Sequence, residues 1–246
     1  MKIPFIKPGQ DLGAVLVQAL GEERKSLRDR DIVAVASKVA SVSEQRIVAL
    51  DEVKVTVRSK RIARKWRIDE RVAALVIEEA DQIIGGVPGF VLTLKSGVLT
   101  ANAGIDMKNA PLGTAVLWPN DPDASADAVR RSLEDRFHVH LGVIIVDSRV
   151  TPLRLGTVGL AMGVSWVLPV RDERGSRDLY GRKAKVTQVN VVDDIASSAH
   201  LLMGETNERI GAVVVRNAPI VLQNSARSRQ ALIPIRKCLI ASNLAA

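Results

Sequence analysis

Apolar residues along this chain follow two alternating rhythms, one helical and one extended. In "DLGAVLVQAL" they recur every three or four positions behind an acid able to cap a helix, so a first helix is expected from Asp11. "DIVAVAS" is a short unbroken apolar run, the mark of a buried strand. Helical spacing returns at Ile62, Trp66, Val72, Leu75, Val76 and Ile83, which predicts one long helix from "VRSKRIARKWR" through "IDERVAALVIEEADQII". Two β-rich runs follow, "GFVLTLK" and "GVLTANAGI", separated by Ser96 and Gly97 as in a hairpin. "DPDASADAVRRSLEDRF" reads as a helix capped by Asp123 or Ser125, and "GVIIVDS" as a strand. "KAKVTQVNVV" alternates like a strand, "DDIASSAHLLMG" reads as a helix stopped by Gly204, and "IGAVVVR" is again a buried strand. Hairpins interrupt the strand–helix alternation of a doubly wound sheet. The expected class is therefore α+β with mixed sheets and flanking helices, in one domain spanning 1–246.

Composition narrows the picture. With 246 residues, 47% of them hydrophobic, the chain can bury a sizeable core. No apolar run approaches the roughly 20 residues of a membrane helix, and "MKIPFIKPGQ" lacks the apolar centre of a secretory signal, so a cytoplasmic protein without a membrane partner is expected. The single Cys238 can form neither an intramolecular disulfide nor a thiolate metal site, which agrees with a reducing compartment. A net charge of +8 suggests an anionic partner: nucleotide, nucleic acid or a poly-acid. Arg58, Lys60, Arg61, Arg64, Lys65 and Arg67 cluster in "VRSKRIARKWR", and they read most simply as the wet face of its helix. Only 3% of residues are aromatic, which disfavours a base-stacking nucleic-acid surface.

Two acids stand where an apolar strand gives way to a loop: Asp106 in "TANAGIDMKN" and Asp147 in "GVIIVDS". Such carboxylates can bind Mg²⁺ or Mn²⁺, which take oxygen ligands and share them with phosphates; they can equally cap a turn. Asn102, in the same turn as Asp106, reads as an amide that satisfies the backbone. In "LLMGETNERIG", Gly204 ends a helix and releases Glu205, Thr206 and Asn207 into a loop. Neither a Walker A sequence nor G-x-G-x-x-G occurs. The glycines of "GTVGLAMG" can simply permit close packing of a strand. His138 and His140 in "FHVH" would share one side of a strand without a third ligand, His200 reads as structural, and no serine sits in a nucleophile elbow.

Taken together, "VASK", "ANAGIDMKN", "VIIVDS", "DLYGR" and "LLMGE", in this order, resemble the coenzyme F-420-0:γ-glutamyl ligases over nearly the whole chain. The resemblance implies a ligase that adds L-glutamate to a deazaflavin coenzyme precursor. It further implies GTP as co-substrate, an acyl-phosphate intermediate, two divalent cations (Mg²⁺ or Mn²⁺), K⁺ as a further cation, and an intertwined homodimer. On this resemblance Asp106 and Asp147 match metal ligands, and Ser148 and Glu205 match holders of a second metal. Ser37, Lys38 and Asn109 match nucleotide contacts, and the loop with Met203, Gly204, Glu205, Thr206, Asn207 and Ile210 matches the segment around GTP. Arg154 and Arg182 match family arginines that would serve phosphate or the acidic substrate. Two segments depart from the family pattern. "SVSEQR" stands where the family reads like "SKAEGR", so a nucleotide-contacting lysine is Val42 here. "DSRVTPLRLG" stands for "DSFGRPWRxG", losing a glycine and an arginine and gaining Arg149. Two other readings stay open: a related ligase with another acceptor or nucleotide, and a nucleotide- or nucleic-acid-binding module without ligase activity.

Overall fold

The computed structural model describes residues 1–23 and 26–243. Helix α1 (Leu12–Glu22) starts as expected, with the Asp11 carboxylate accepting from the Ala14 amide at 3.2 Å. Strand β1 (Ile32–Ala36) runs directly into α2 (Ser37–Ser43), and β2 (Ile47–Ala49) follows. The predicted long basic helix is in fact two, α3 (Val57–Trp66) and α4 (Glu70–Glu79). Arg67 turns left-handed at φ 52° and stops the first, while Asp69 caps the second by accepting from the Arg71 amide. Ile83, assigned to that helix, lies in strand β3 (Gln82–Val87), which pairs with β4 (Phe90–Lys95). The Ser96–Gly97 turn then returns the chain as β5 (Val98–Ala101), with positive φ at both turn residues, as the hairpin signal demands.

After the short strand β6 (Thr114–Val116) comes α5 (Pro122–Phe137), whose cap is Asp121 rather than Asp123 or Ser125. Proline at the first helical position fixes the start one residue past Asp121. Asp123 accepts instead from the amides of Val164 and Ser228, and Ser125 bonds Glu44. His138 ends α5 in a left-handed conformation, so "FHVH" is a helix terminus and not a strand. Strands β7 (Gly142–Val150) and β8 (Thr157–Ser165) form a long antiparallel pair. Of "KAKVTQVNVV" only Gln188–Asn190 is strand; it is β10, pairing β9 (Val170–Asp172). Val191 and Val192 already belong to helix α6 (Val191–Met203), because Asn190 caps it by accepting from the Asp193 amide. Strand β11 (Ala212–Val215) is the last strand among the described residues, and short 3-10 turns at Ser228–Ala231, Ile235–Lys237 and Ala241–Asn243 follow it.

The central sheet has the order β11-β1-β7-β8, with β1 and β7 parallel and the outer strands antiparallel to their neighbours. Strand periodicity sends Val33, Val35, Val143 and Ile145 to one face, where Leu16 and Leu20 of α1 and Leu133 of α5 cover them. Ile32, Ala34, Ile144 and Val146 face the other way, onto Val192, Ile195 and Ala199 of α6. The glycines of β8 make these layers close: a Cβ on Gly159 would fall 2.3 Å from the Ala196 carbonyl oxygen, and one on Gly163 2.1 Å from that of Pro122. A further apolar cluster joins α4 to β4, β6 and the segment after β5, through Leu75, Val76, Val91, Ala115 and Leu117. Among the described residues no helix is long and apolar enough to cross a membrane.

Glu79 at the end of α4 binds Arg46 at 2.9 Å and also pairs with Lys95, all three being largely shielded from solvent. Burial opposes its charge, yet Lys95 and Arg46 hold the carboxyl below its ordinary 4.5. A folded pKa below the unfolded one gives stability that is present above the ordinary carboxyl range and lost as pH falls through the depressed value. Glu79→Gln strands two cations, and it is expected to cost about 3 kcal/mol at neutral pH. The deficit should shrink in acid, as urea unfolding at two pH values will read.

Candidate functional site

Parallel pairing sets the site. Ala36 of β1 lies opposite Val146 of β7, so the residues that follow, Ser37 and Asp147, emerge side by side where the parallel pairing ends; β7 itself runs on to Val150 against β8, so Asp147 lies within a strand and not at the strand–loop junction expected of it. This edge of a sheet is where ligands commonly bind. It opens into a cleft of about 670 Å³. Its walls come from the 3–8 segment, the start of α2, Asp106 to Pro111, β7, and the end of α6 with the 204–211 loop.

Asp147 is tightly fixed. Its Oδ2 accepts from the indole Nε1 of Trp118 at 2.6 Å, its Oδ1 from the Ser148 amide at 2.8 Å, and the Ser37 hydroxyl adds a further bond. Burial nevertheless pushes its carboxyl up, and the charge of Asp106 adds to the push. Asp106 itself is set by a two-way backbone bridge to Val116, and its Oδ1 accepts from the Lys108 amide at 2.7 Å. Its Oδ2 meets Lys38 Nζ at 2.6 Å, and the same ammonium donates to the Lys108 carbonyl. Asn102 has the backbone role expected of it, accepting from the Val91 amide at 2.8 Å.

On the opposite wall, Glu205 Oε1 bonds His200 Nε2 at 2.7 Å and accepts from Thr157 Oγ1 at 3.0 Å. Burial works against its charge, but these partners together with Ser148 hold the carboxyl below its usual range. Gly204, at φ 74°, turns the chain out of α6; a Cβ there would meet the Glu208 carboxyl at 2.2 Å. The loop is closed by Asn109, whose Nδ2 donates to the Thr206 carbonyl at 2.6 Å. Met203, Thr206, Asn207 and Ile210 line the same cleft. So do Val42 and Phe5, the latter under the Arg209 guanidinium at 4.6 Å.

The structure thus gathers Ser37, Lys38, Asp106, Asn109, Asp147, Ser148 and the 203–210 loop around one space. It does not bring Arg154 or Arg182 there. Arg154 rides the exposed 151–156 loop, and Arg182 pairs with Asp178 at 3.0 Å on the exposed 173–187 segment. Arg149 leans on Asp193 at 3.2 Å, with its Nε buried and unpaired. Sequence reasoning missed Trp118, which looks like core in "VLWPN", and took His200 as purely structural although it anchors Glu205. The spacing of His200 and Glu205 across the helix end was the available signal for the second; none marked the first.

Carboxylates and a hydroxyl are the donors a hard divalent cation takes. Asp106 and Asp147 line the same cleft, and the charge of Asp106 adds to the upward push on the Asp147 carboxyl, which a cation between them would relieve. Among the described residues no three acids or imidazoles stand ready at ligand spacing. Instead Lys38 supplies the positive charge that Asp106 meets. The donor set therefore fits a divalent ion, provided Lys38 yields its place.

Comparison with known proteins points the same way. The family model described as F420-0:Gamma-glutamyl ligase matches residues 1–217. The coenzyme F420:L-glutamate ligase of Methanopyrus kandleri is 38% identical to this chain, over 94% of it and 90% of the relative. The enzyme of the same name from Archaeoglobus fulgidus is 37% identical over 96% and 94%. That of Methanothermobacter thermautotrophicus is 36% identical over 88% and 86%.

Proposed function

Since the chain belongs to the F420-0:gamma-glutamyl ligase family, we propose how its cleft carries out the family's reaction. The protein is an enzyme that ligates L-glutamate to the coenzyme F420 precursor, and the reading as a binding module without activity falls away. In our scheme the acceptor's terminal carboxylate attacks the γ-phosphorus of GTP, and GDP leaves with the bridging oxygen. The amine of glutamate then attacks the acyl carbon, expelling phosphate and losing a proton as the amide forms. Mg²⁺ or Mn²⁺ would supply the charge neutralisation that such phosphoryl transfer needs, with K⁺ as an auxiliary cation.

Asp106 and Asp147 would hold the first divalent ion, and Ser148 with Glu205 the second. Ser37, Lys38, Asn109 and the 203–210 loop would clasp the nucleotide. Lys38 carries its ammonium on a flexible stem, so it can exchange Asp106 for a phosphate oxygen. Arg154 and Arg182 would serve the acidic acceptor or its phosphoryl group from outside the cleft. Their loops also expose Leu153, Leu155, Leu179 and Tyr180 almost fully. Such a surface suits a homodimer in which a second copy covers these segments and draws the arginines to a site. A monomer by light scattering counts against that arrangement.

The observation that carries this reading is the pair of carboxylates, Asp106 and Asp147, lining one cleft beside the end of β1. It is tested by turnover: GTP consumption should require both L-glutamate and the coenzyme precursor. Hydrolysis indifferent to either would sink it. Val42 in the cleft wall favours one variant reading, in which another nucleotide or acceptor is used, and competition between GTP and ATP decides it.

A further inference from the structure

We propose that Trp118 is a positioning residue for Asp147, holding its carboxylate in the orientation that faces the cleft. Its indole N–H reaches Asp147 Oδ2 at 2.6 Å, while the Ser148 amide holds Oδ1 at 2.8 Å. Each oxygen thus carries a fixed donor and keeps lone-pair capacity toward the cleft. An indole differs here from a hydroxyl or a water, because it donates only and cannot rotate into an acceptor. Were the carboxylate to swing away, a buried N–H would be left unpaired, since Trp118 is only 5% exposed.

The ring is itself immobilised. Leu160 and Met162 share its apolar cluster, and the Lys95 ammonium lies 5.4 Å from the ring centroid. Gly104 leaves the space it needs, since a Cβ there would fall 2.1 Å from Nε1. The Trp118 backbone carbonyl accepts from Arg46 Nε at 2.9 Å, and Arg46 and Lys95 are both clamped by Glu79. One side chain therefore transmits the rigidity of the β4–α4 cluster to the acid. A buried indole N–H needs an acceptor wherever it sits; the acceptor here is the carboxylate that the proposed site uses.

The inference rests on the reading of Asp147 as a cation ligand, and outer partners of metal ligands typically govern affinity by 10- to 100-fold. Calorimetric titration should find Mn²⁺ bound about 10-fold more weakly by Trp118→Phe than by the unaltered protein. Because that variant also removes core volume, a second measurement keeps the indole. In a Trp66→Phe, Trp166→Phe protein, Trp118 is the sole tryptophan. Its emission should shift on adding Mg²⁺, with the calorimetric midpoint, and Asp147→Asn should abolish the shift. Undiminished Mn²⁺ affinity in Trp118→Phe, or emission indifferent to bound Mg²⁺, overturns the role of Trp118 alone. No calorimetric binding by the unaltered protein overturns the cation reading and this inference with it.

Discussion

Asp147→Asn is expected to lower turnover at least about 10³-fold while leaving a folded protein, a loss of about 4 kcal/mol in transition-state stabilisation. The asparagine keeps the shape but not the charge. One of its atoms becomes an NH₂ group facing a donor, either Trp118 Nε1 or the Ser148 amide. That mismatch costs stability, and removal of a desolvated charge returns some of it, so the melting temperature of the unliganded protein should move by only a few degrees. The informative reading is thermal shift with GTP, with and without Mn²⁺. Metal-dependent stabilisation should vanish in Asp147→Asn and in Asp106→Asn alike. If nucleotide still stabilised both variants in a metal-dependent way, the assignment of these acids would be wrong.

Lys38→Met is expected to split two properties that usually fall together. Lys38 now neutralises Asp106 across 2.6 Å, occupying the oxygen a cation would use. Without the ammonium, Mg²⁺ alone should bind several-fold more tightly, because it no longer displaces an ion pair. Turnover should nonetheless fall about 100-fold, since on the proposed assignment a cation serving the transferring phosphoryl group is lost. The partners are partly exposed, so the stability change itself should stay within about 1 kcal/mol. Calorimetry and steady-state kinetics on the same preparation separate the two effects. Weaker Mg²⁺ binding in Lys38→Met would show that the lysine supports the cation rather than competing with it.

Much of this architecture was legible in the chain because burial and period agree. β1, β7 and β11 read as buried apolar runs, and the Asp11 cap and the Gly204 stop marked the ends of α1 and α6. The break at Arg67 was not, since helical spacing continues on both sides and the stop is a backbone conformation of an ordinary residue. Asp69, a capping acid before Glu70, was the visible clue. Asp106 and Asp147 could be suspected singly from where apolar runs stop, although β7 continues past Asp147 to Val150. What brings them together is non-local: the parallel register of β1 and β7 sets Asp147 beside Ser37, the bridge to Val116 carries Asp106 to the same cleft, and no local pattern encodes either. Arg154 and Arg182 show the converse: their motifs are readable, but exposed loops carry them away from the cleft within a single chain.

That same parallel register has a kinetic consequence. Ile32 pairs with Gly142, so about 110 residues of chain must be looped before the two halves of the cleft meet. Non-local parallel pairing is slow to nucleate and rewards the chain only when complete. Ligand binding should therefore be among the last properties regained on dilution from denaturant, lagging the helical signal of α3 and α4. Nucleotide held in the finished cleft would in turn brake the unfolding step that separates β1 from β7.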